Sequence, residues 1–213
     1  MHSPMNWKLV DVIQETFHPF LNYFDLVYEV EKEGTVSIYH YYMVSRKTRE
    51  EILNRIHRYS KIDGVILPLY YQDPDTKEIS LLLTRQFRPA IGDYMTAMIA
   101  GLKDEKDNDL FDTCQREALE ECGALVTDME ILIPPSPSAV CLSDEINAVV
   151  LGRIVSFQQK QLEEFEDIRT SLYPLSKVKD MLKDPQYVFP LITRLILLSL
   201  LLRFESCNQD KKE

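Results

Sequence analysis

Two neighbouring apolar runs constrain the fold of this chain more than any other feature. VILPLYY (65–71) and ISLLLTRQF (79–87) are apolar at successive positions, and DPDTKE (73–78) between them carries the strong turn chemistry of Asp73-Pro74-Asp75. A strand with the same apolar character on both faces needs cover on both sides, so the pair reads as a hairpin of central strands. LNYFDLVYEVE (21–31) and TVSIYHYYMV (35–44), separated by Lys32-Glu33-Gly34, predict an N-terminal antiparallel hairpin. LVTDMEILI (125–133) predicts a strand, PPSPSAVCLSDE (134–145) a loop, INAVVLGRIV (146–155) a further apolar strand, and Arg169–Leu175 a short one. Helical patterns lie at 46–59, with Ile52, Ile56 and Tyr59 on one side, and at 187–204, which is strongly apolar. Between them Ser176 reads as the cap of KVKDMLKD, which Pro185 breaks. QQKQLEEFED (158–167) is polar and acidic, as a solvated loop would be. Strands, a helix, more strands and a late helix give an α+β architecture, with helices packed on a mixed sheet.

The central helix lies in AGLKDEKDNDLFDTCQREALEECGAL (100–125). Asp109 or Asn108 is placed to cap its start, and Gly123 stands where a helix takes its left-handed final residue. Glu117, Glu120 and Glu121 are spaced i, i+3, i+4, so three carboxylates project from one face. Like charges at that spacing repel, and a cation held there removes the penalty. Carboxylate oxygens suit a hard divalent ion such as Mg²⁺ or Mn²⁺. Taken alone, such a face is more often a solvated surface than a site.

A net charge of −10 argues against a general nucleic-acid binder, which would show a basic face. It does not argue against a small anionic substrate, because a bound metal reverses the local field. The 213 residues, 45% apolar, fit one domain or one domain with a small appendage. Cys114, Cys122, Cys141 and Cys207 form no C-x-x-C pair and read as reduced thiols of a cytoplasmic protein. MHSPMNWKLVDV lacks a basic segment followed by an apolar run, so no signal peptide is expected. Leu195–Leu202 is too short for a membrane span and reads as a buried helix. His57 has no partner spaced with it and reads as a surface or packing residue.

Arg116–Gly123 has the form R-E-U-x-E-E-x-G, the second half of the Nudix box, G-x5-E-x7-R-E-U-x-E-E-x-G-U, with Gly101 as the opening glycine and Ala124 at the final apolar position. The chain thus resembles the Nudix hydrolases. Counting back eight from Arg116 reaches Asn108, where the pattern has Glu, and the interval from Gly101 to that position is one residue longer than the pattern. TRQFRPA (84–90), MIAGL (98–102), SPS…SDE (136–145) and EFEDI (164–168) are similar to segments of one branch, the ADP-ribose and nucleoside-diphosphate-sugar pyrophosphatases. Ala97 and Ile99 stand where many relatives have Glu and Pro.

The resemblance implies a Nudix-type α/β/α sandwich at 61–206, an N-terminal β region with a linker helix at 1–60 that builds a homodimer, and a polar tail at 207–213. It implies metal ligation by the carbonyl of Ala100 and by Glu117, Glu120 and Glu121, with Arg116 orienting the carboxylates. It places Arg88 on a substrate phosphate and Glu145 beside the substrate. Phe87, with Tyr94 and the N-terminal tyrosines, offers a ring on which a substrate base would stack. Glu166 or Glu164, with Glu120, would activate water. The implied activity is Mg²⁺- or Mn²⁺-dependent hydrolysis of the pyrophosphate bond of an ADP-ribose-like or sugar-nucleotide substrate. A catalytically weak module that binds a nucleotide ligand or mainly dimerises is the alternative. It is motivated by Asn108, Ala97 and the extra loop residue. Neither reading includes a nucleic-acid or membrane partner.

Overall fold

The computed structural model describes residues 5–54, 61–162 and 167–209. The chain divides into two compact units, Met1–Asp63 with Pro135–Asn147, and Gly64–Pro134 with Ala148–Glu213.

The first unit is a three-stranded antiparallel sheet of β1 (Asn6–Gln14), β2 (Asn22–Lys32) and β3 (Thr35–Ser45). The β2–β3 hairpin is the one the sequence predicts, closed by Glu33 and Gly34 at positive φ. β1 went unread because its alternation breaks: the register with β2 shifts between Leu9 and Asp11, a bulge that displaces the period-two pattern. One face of the sheet buries Val12, Phe24, Leu26 and Met43 against Ile52 of the short helix α1 (Arg49–Leu53). Thr48 caps α1 in a reciprocal capping box with Glu51. The helix expected over 46–59 is thus five residues long in its described part, and Ile56, His57 and Tyr59 lie outside the described residues. The segment 138–145 joins this unit through Val44 N to Leu142 O at 2.8 Å and Lys47 Nζ to the Asp144 carboxylate at 2.8 Å.

The second unit is built on a mixed sheet. Its strands are β4 (Gly64–Leu67), β5 (Leu69–Gln72), β6 (Ile79–Arg88), β7 (Asp93–Ala97), β8 (Ile99–Leu102), β9 (Ala124–Pro137), β10 (Ile146–Phe157) and β11 (Ile168–Pro174). The order is β11-β6-β5-β10-β4-β8, with β7 on β6 and β9 on β10. β5 and β6 form the expected hairpin, and Asp73 Oδ1 accepts from the amides of Asp75 and Thr76 at 2.9 and 2.7 Å. The run 65–71 is not one strand, however. Pro68 has no N–H to give a ladder and splits the run, so β4 pairs with β8 while β5 pairs with β6, and β10 lies between them.

Period-two alternation sorts the apolar side chains to two faces. Leu81, Leu83, Val149 and Leu151 meet α3 (Leu175–Met181) and α4 (Leu191–Gln209) through Val178, Met181, Leu197, Leu200 and Phe204. α2 (Leu110–Cys122) packs on β4 and β8. The expected α+β class, with helices on a mixed sheet, is the one observed.

Three boundaries differ from the sequence reading. β9 runs on to Pro137, into the expected loop, because it pairs only with β10 and an edge strand tolerates proline. Ser176 is not a cap: β11 passes directly into α3 at Pro174, and no side-chain cap forms. α4 starts after Pro190 rather than at 187, since Val188 O is held by Thr96 N at 2.8 Å, and it extends to Gln209.

Candidate active site

α2 is placed by both of its ends. Asp109 accepts from the amides of Phe111 and Asp112 at 2.8 and 2.9 Å, which fixes the start. Gly123 ends the helix at φ 70°. A Cβ at Gly123 would lie 2.1 Å from the backbone oxygen of Gln158, and Gly123 O accepts from Gln158 N at 2.6 Å. The helix therefore ends where the segment after β10 crosses it. Gln161 N donates to Glu120 O at 3.0 Å, so that segment stays on the helix for several residues. The inner face of α2 buries Cys114, Ala118 and Cys122. Burial pushes the Cys114 thiol up to about 12 and the Cys122 thiol up to about 11, so neither is a nucleophile near neutral pH. Cys114, Cys122 and Cys141 are free of disulfides.

The carboxylates lie along the border of that buried face. Glu117 and Glu121 are 8% and 7% exposed, whereas the Glu120 side chain is 42% exposed. Glu117 rests on Gly101 of β8, and a Cβ at Gly101 would fall 1.9 Å from the Glu117 carboxyl carbon. Only a residue without a side chain leaves Glu117 its place. Glu117, Glu120, Glu121, Ala100, Gly101 and Arg116 line one cleft of about 380 Å³, with Gln161 at its edge.

Arg116 organises the cleft. Its Nη1 donates to Glu117 Oε1 at 2.7 Å and to Glu120 Oε2 at 3.0 Å. Its Nε and Nη2 reach Asp107 Oδ1 and Oδ2 at 3.1 and 2.9 Å, and Nη2 also donates to Leu102 O at 2.8 Å. Asp107 is itself buried and accepts from Thr113 Oγ1 and Asp104 N, both at 2.9 Å. The Arg116 guanidinium holds the Asp107 carboxyl down at about 2, against the opposing pull of burial. The same partner raises Arg116 above the ordinary guanidinium value.

Sequence reading missed Asp107. Counting back from Arg116 reached Asn108, which instead turns to the Asp112 carboxylate at 2.7 Å. Counting forward from Gly101 reaches Asp107 at the spacing of the pattern. The extra residue therefore lies between Asp107 and Arg116, and an acid still holds the arginine.

The other expected site residues are not gathered in this cleft. Phe87 is half exposed, its ring 5.5 Å from that of Tyr94, whose hydroxyl donates to Asp167 at 2.7 Å. Arg88 ends β6 opposite Asp93, its carbonyl accepting from Ile91 N and Gly92 N. Neither lines the cleft. Glu145 belongs to the first unit, where its carboxylate takes Arg46 at 2.6 Å, Ser138 at 2.9 Å and Asn147 at 3.1 Å. Burial works to raise its carboxyl, but those three partners outweigh it and hold the value below the ordinary one. Glu164 and Glu166 lie outside the described residues.

Among the described residues no three acidic, histidine or cysteine side chains converge to enclose a metal ion. The donor set fits a hard ion of another kind. Mg²⁺ is typically held by one or two carboxylates and keeps several waters, leaving positions open for substrate phosphate. Glu117 and Glu121, with Ala100 lining the same cleft, meet that description.

No family model matches the chain, and no curated protein matches it in sequence. Its fold is similar to that of a solved crystal structure of an ADP compounds hydrolase, with a TM-score of 0.66 and 18% identity over 95% of each chain. At that identity the likeness is one of fold, and it agrees with the Nudix-type sandwich. No described helix is long and apolar enough to cross a membrane.

Proposed function

We propose that this chain is a Nudix-type pyrophosphatase that uses Mg²⁺ or Mn²⁺ to hydrolyse an ADP-ribose-like or sugar-nucleotide substrate. One observation carries the reading: Glu117 sits in a niche that only Gly101 leaves open, while Arg116 and Asp107 brace the carboxylate row along the same cleft. A merely solvated acidic face needs neither the niche nor the brace. The structural neighbour, a hydrolase of ADP compounds, supports the substrate class.

In this reading Glu117, Glu121 and the Ala100 carbonyl hold the ion, with Glu120 beside them. When bound, the ion supplies charge neutralisation at the crowded phosphates and lowers the pKa of water. The protein does the rest. Arg116 fixes the rotamers of Glu117 and Glu120, so the carboxylates are in place before substrate arrives. A carboxylate of the acidic segment beyond Gln161, Glu164 or Glu166, takes the proton of the attacking water. Arg88 would meet a substrate phosphate as a charged fork.

The exposed aromatic and apolar residues of the first unit, among them Trp7, Val36, Ile38 and Tyr42, support an N-terminal homodimer. We place the enzyme in the cytoplasm. The weak-module alternative loses one of its motives, since Asp107 restores the acid that Asn108 lacks.

The test is hydrolysis of ADP-ribose, sugar nucleotides and dinucleotides with Mg²⁺ or Mn²⁺, followed by chromatography of the two phosphomonoester products, for the wild type and Glu121→Gln. Turnover of at least one member, falling by two orders of magnitude or more in the variant, is the expected outcome. A wild type that turns over none of them sinks the enzyme reading.

A further inference from the structure

The last helix carries apolar residues on sides that face away from each other. Thr193, Ile196, Leu197, Leu200, Leu201 and Phe204 of α4 point into the core, each 7% exposed or less. A surface helix is expected to be polar on its other side. Instead Leu191, Leu195, Leu198 and Leu202 stand 75%, 53%, 47% and 68% exposed. Their spacing is i, i+4, i+7, i+11, the seam of a helix that packs on another helix. On a 3.6-residue helix they fall within about 60° of arc. Beside the seam, between α3 and α4, runs an apolar groove of about 380 Å³ floored by Leu182, Leu198 and Leu202.

The seam reads the same in both directions. Leu191 precedes the midpoint between Ile196 and Leu197 by as much as Leu202 follows it, and Leu195 and Leu198 are related in the same way. Two copies laid antiparallel about a two-fold axis therefore bring Leu191 against Leu202 and Leu195 against Leu198 twice over. A seam of this spacing closes on itself about a two-fold axis. Charge points the same way. α4 has no acidic residue in its first turn, so no side chain of that turn offsets the dipole at its amino end. Antiparallel pairing carries Glu205 of each copy, now 3.1 Å from Lys179, toward the amino end of the other helix. The exposed leucine surface is roughly 400 Å² per copy, so with the groove the pair approaches the ~1,000 Å² at which specific interfaces begin.

We infer that α4 is a self-association face, on which two copies of this chain pack their last helices antiparallel through Leu191, Leu195, Leu198 and Leu202. This goes beyond the proposed activity and uses a different surface from the N-terminal homodimer.

Sedimentation velocity of the full chain, from about 1 to about 200 µM, tests it with the wild type and Leu195→Glu/Leu198→Glu. Both leucines point outward, so the thermal midpoint is expected to hold, and Leu195→Ser/Leu198→Ser stands in if it does not. The variant loses one association step, halving the largest species at the highest concentration. An unchanged distribution overturns the inference. Geometry is tested by mixing Leu195→Cys and Leu198→Cys chains, each also carrying Cys141→Ser and Cys207→Ser, and oxidising with copper and oxygen. The mixed 195–198 disulfide is expected to exceed both like-pair products severalfold. A predominant like pair overturns the antiparallel register. A wild type that shows no such step but pellets with anionic phospholipid vesicles through the same leucines makes the face a membrane contact, which also overturns it.

Discussion

Arg116 grips both oxygens of Asp107, Nε to Oδ1 at 3.1 Å and Nη2 to Oδ2 at 2.9 Å, while its remaining nitrogen holds Glu117 and Glu120. One guanidinium thus ties the loop before α2 to the carboxylate row on α2. Removing the loop partner should be felt at the row. Asp107→Ala is expected to cost about 1–3 kcal/mol, since Arg116 keeps some solvent contact, and to lower turnover about 10–100-fold. Asn108→Ala is expected to change stability by no more than about 0.5 kcal/mol. Urea midpoints and initial rates of the two variants check the contrast, and equal effects would remove Asp107 from the role given it here.

The same pair makes a pH prediction. The Asp107 carboxyl titrates at about 2 in the folded protein against an ordinary 3.8. Its folded value is depressed, so the stabilisation is fully present above about pH 4 and is lost as pH falls toward 2. The size is about 2 kcal/mol. Stability curves of the wild type and Asp107→Asn, measured by urea unfolding, should converge across that window. Curves that stay parallel from pH 5 to pH 2 would contradict the assignment.

Gly101→Ala separates stability from function. The new methyl would meet the end of the Glu117 side chain, a flexible group that can swing away. Unfolding stability should therefore change by less than about 1 kcal/mol. Mn²⁺ affinity, followed by paramagnetic resonance of the free ion, should fall at least about 10-fold because a ligand has been pushed out. Loss of stability with unchanged Mn²⁺ binding would argue against Glu117 as a ligand.

Gly123→Ala should behave in the opposite way. Its φ of 70° strains any side chain, and the clash is with the backbone oxygen of Gln158 rather than with a flexible tip. A loss of about 2 kcal/mol or more is expected from thermal or urea unfolding. An effect near zero would mean that the segment from Gln158 does not hold against the helix end in solution.

What the sequence showed, and what it hid, follows the physics of each region. α2 was legible end to end because its cap at Asp109, its left-handed Gly123 and its i, i+3, i+4 glutamates are all local signals. The hairpins at Gly34 and Asp73 were legible for the same reason. β1 was hidden by a bulge that breaks period two. The split at Pro68 was hidden because β4 and β5 are both apolar, and only their different partners distinguish them. In the site, Asp107 was hidden by an inserted residue that shifts the count from one side only. Arg88 and Glu145 are named by likeness to relatives, and Phe87 by its aromatic ring. Their positions depend on contacts distant in sequence, such as β6 with β7 and Glu145 with Arg46, which no local pattern reports.

The interruption at Pro68 also sets an order of events. β4 and β5 are consecutive in the chain, yet the place between them is filled by β10, which is made last of the three. The β5–β6 hairpin can close early from its own turn. The sheet as a whole cannot close until residues 146–157 arrive, and by then α2 with its carboxylates has already left the ribosome. Folding is therefore gated by one long-range insertion, and it should be slow for a chain with so many hairpins. Substitutions in the middle of β10, such as Val150→Ala, and at the Asp73 turn should both slow refolding, since both sets of contacts are in place by the gating step.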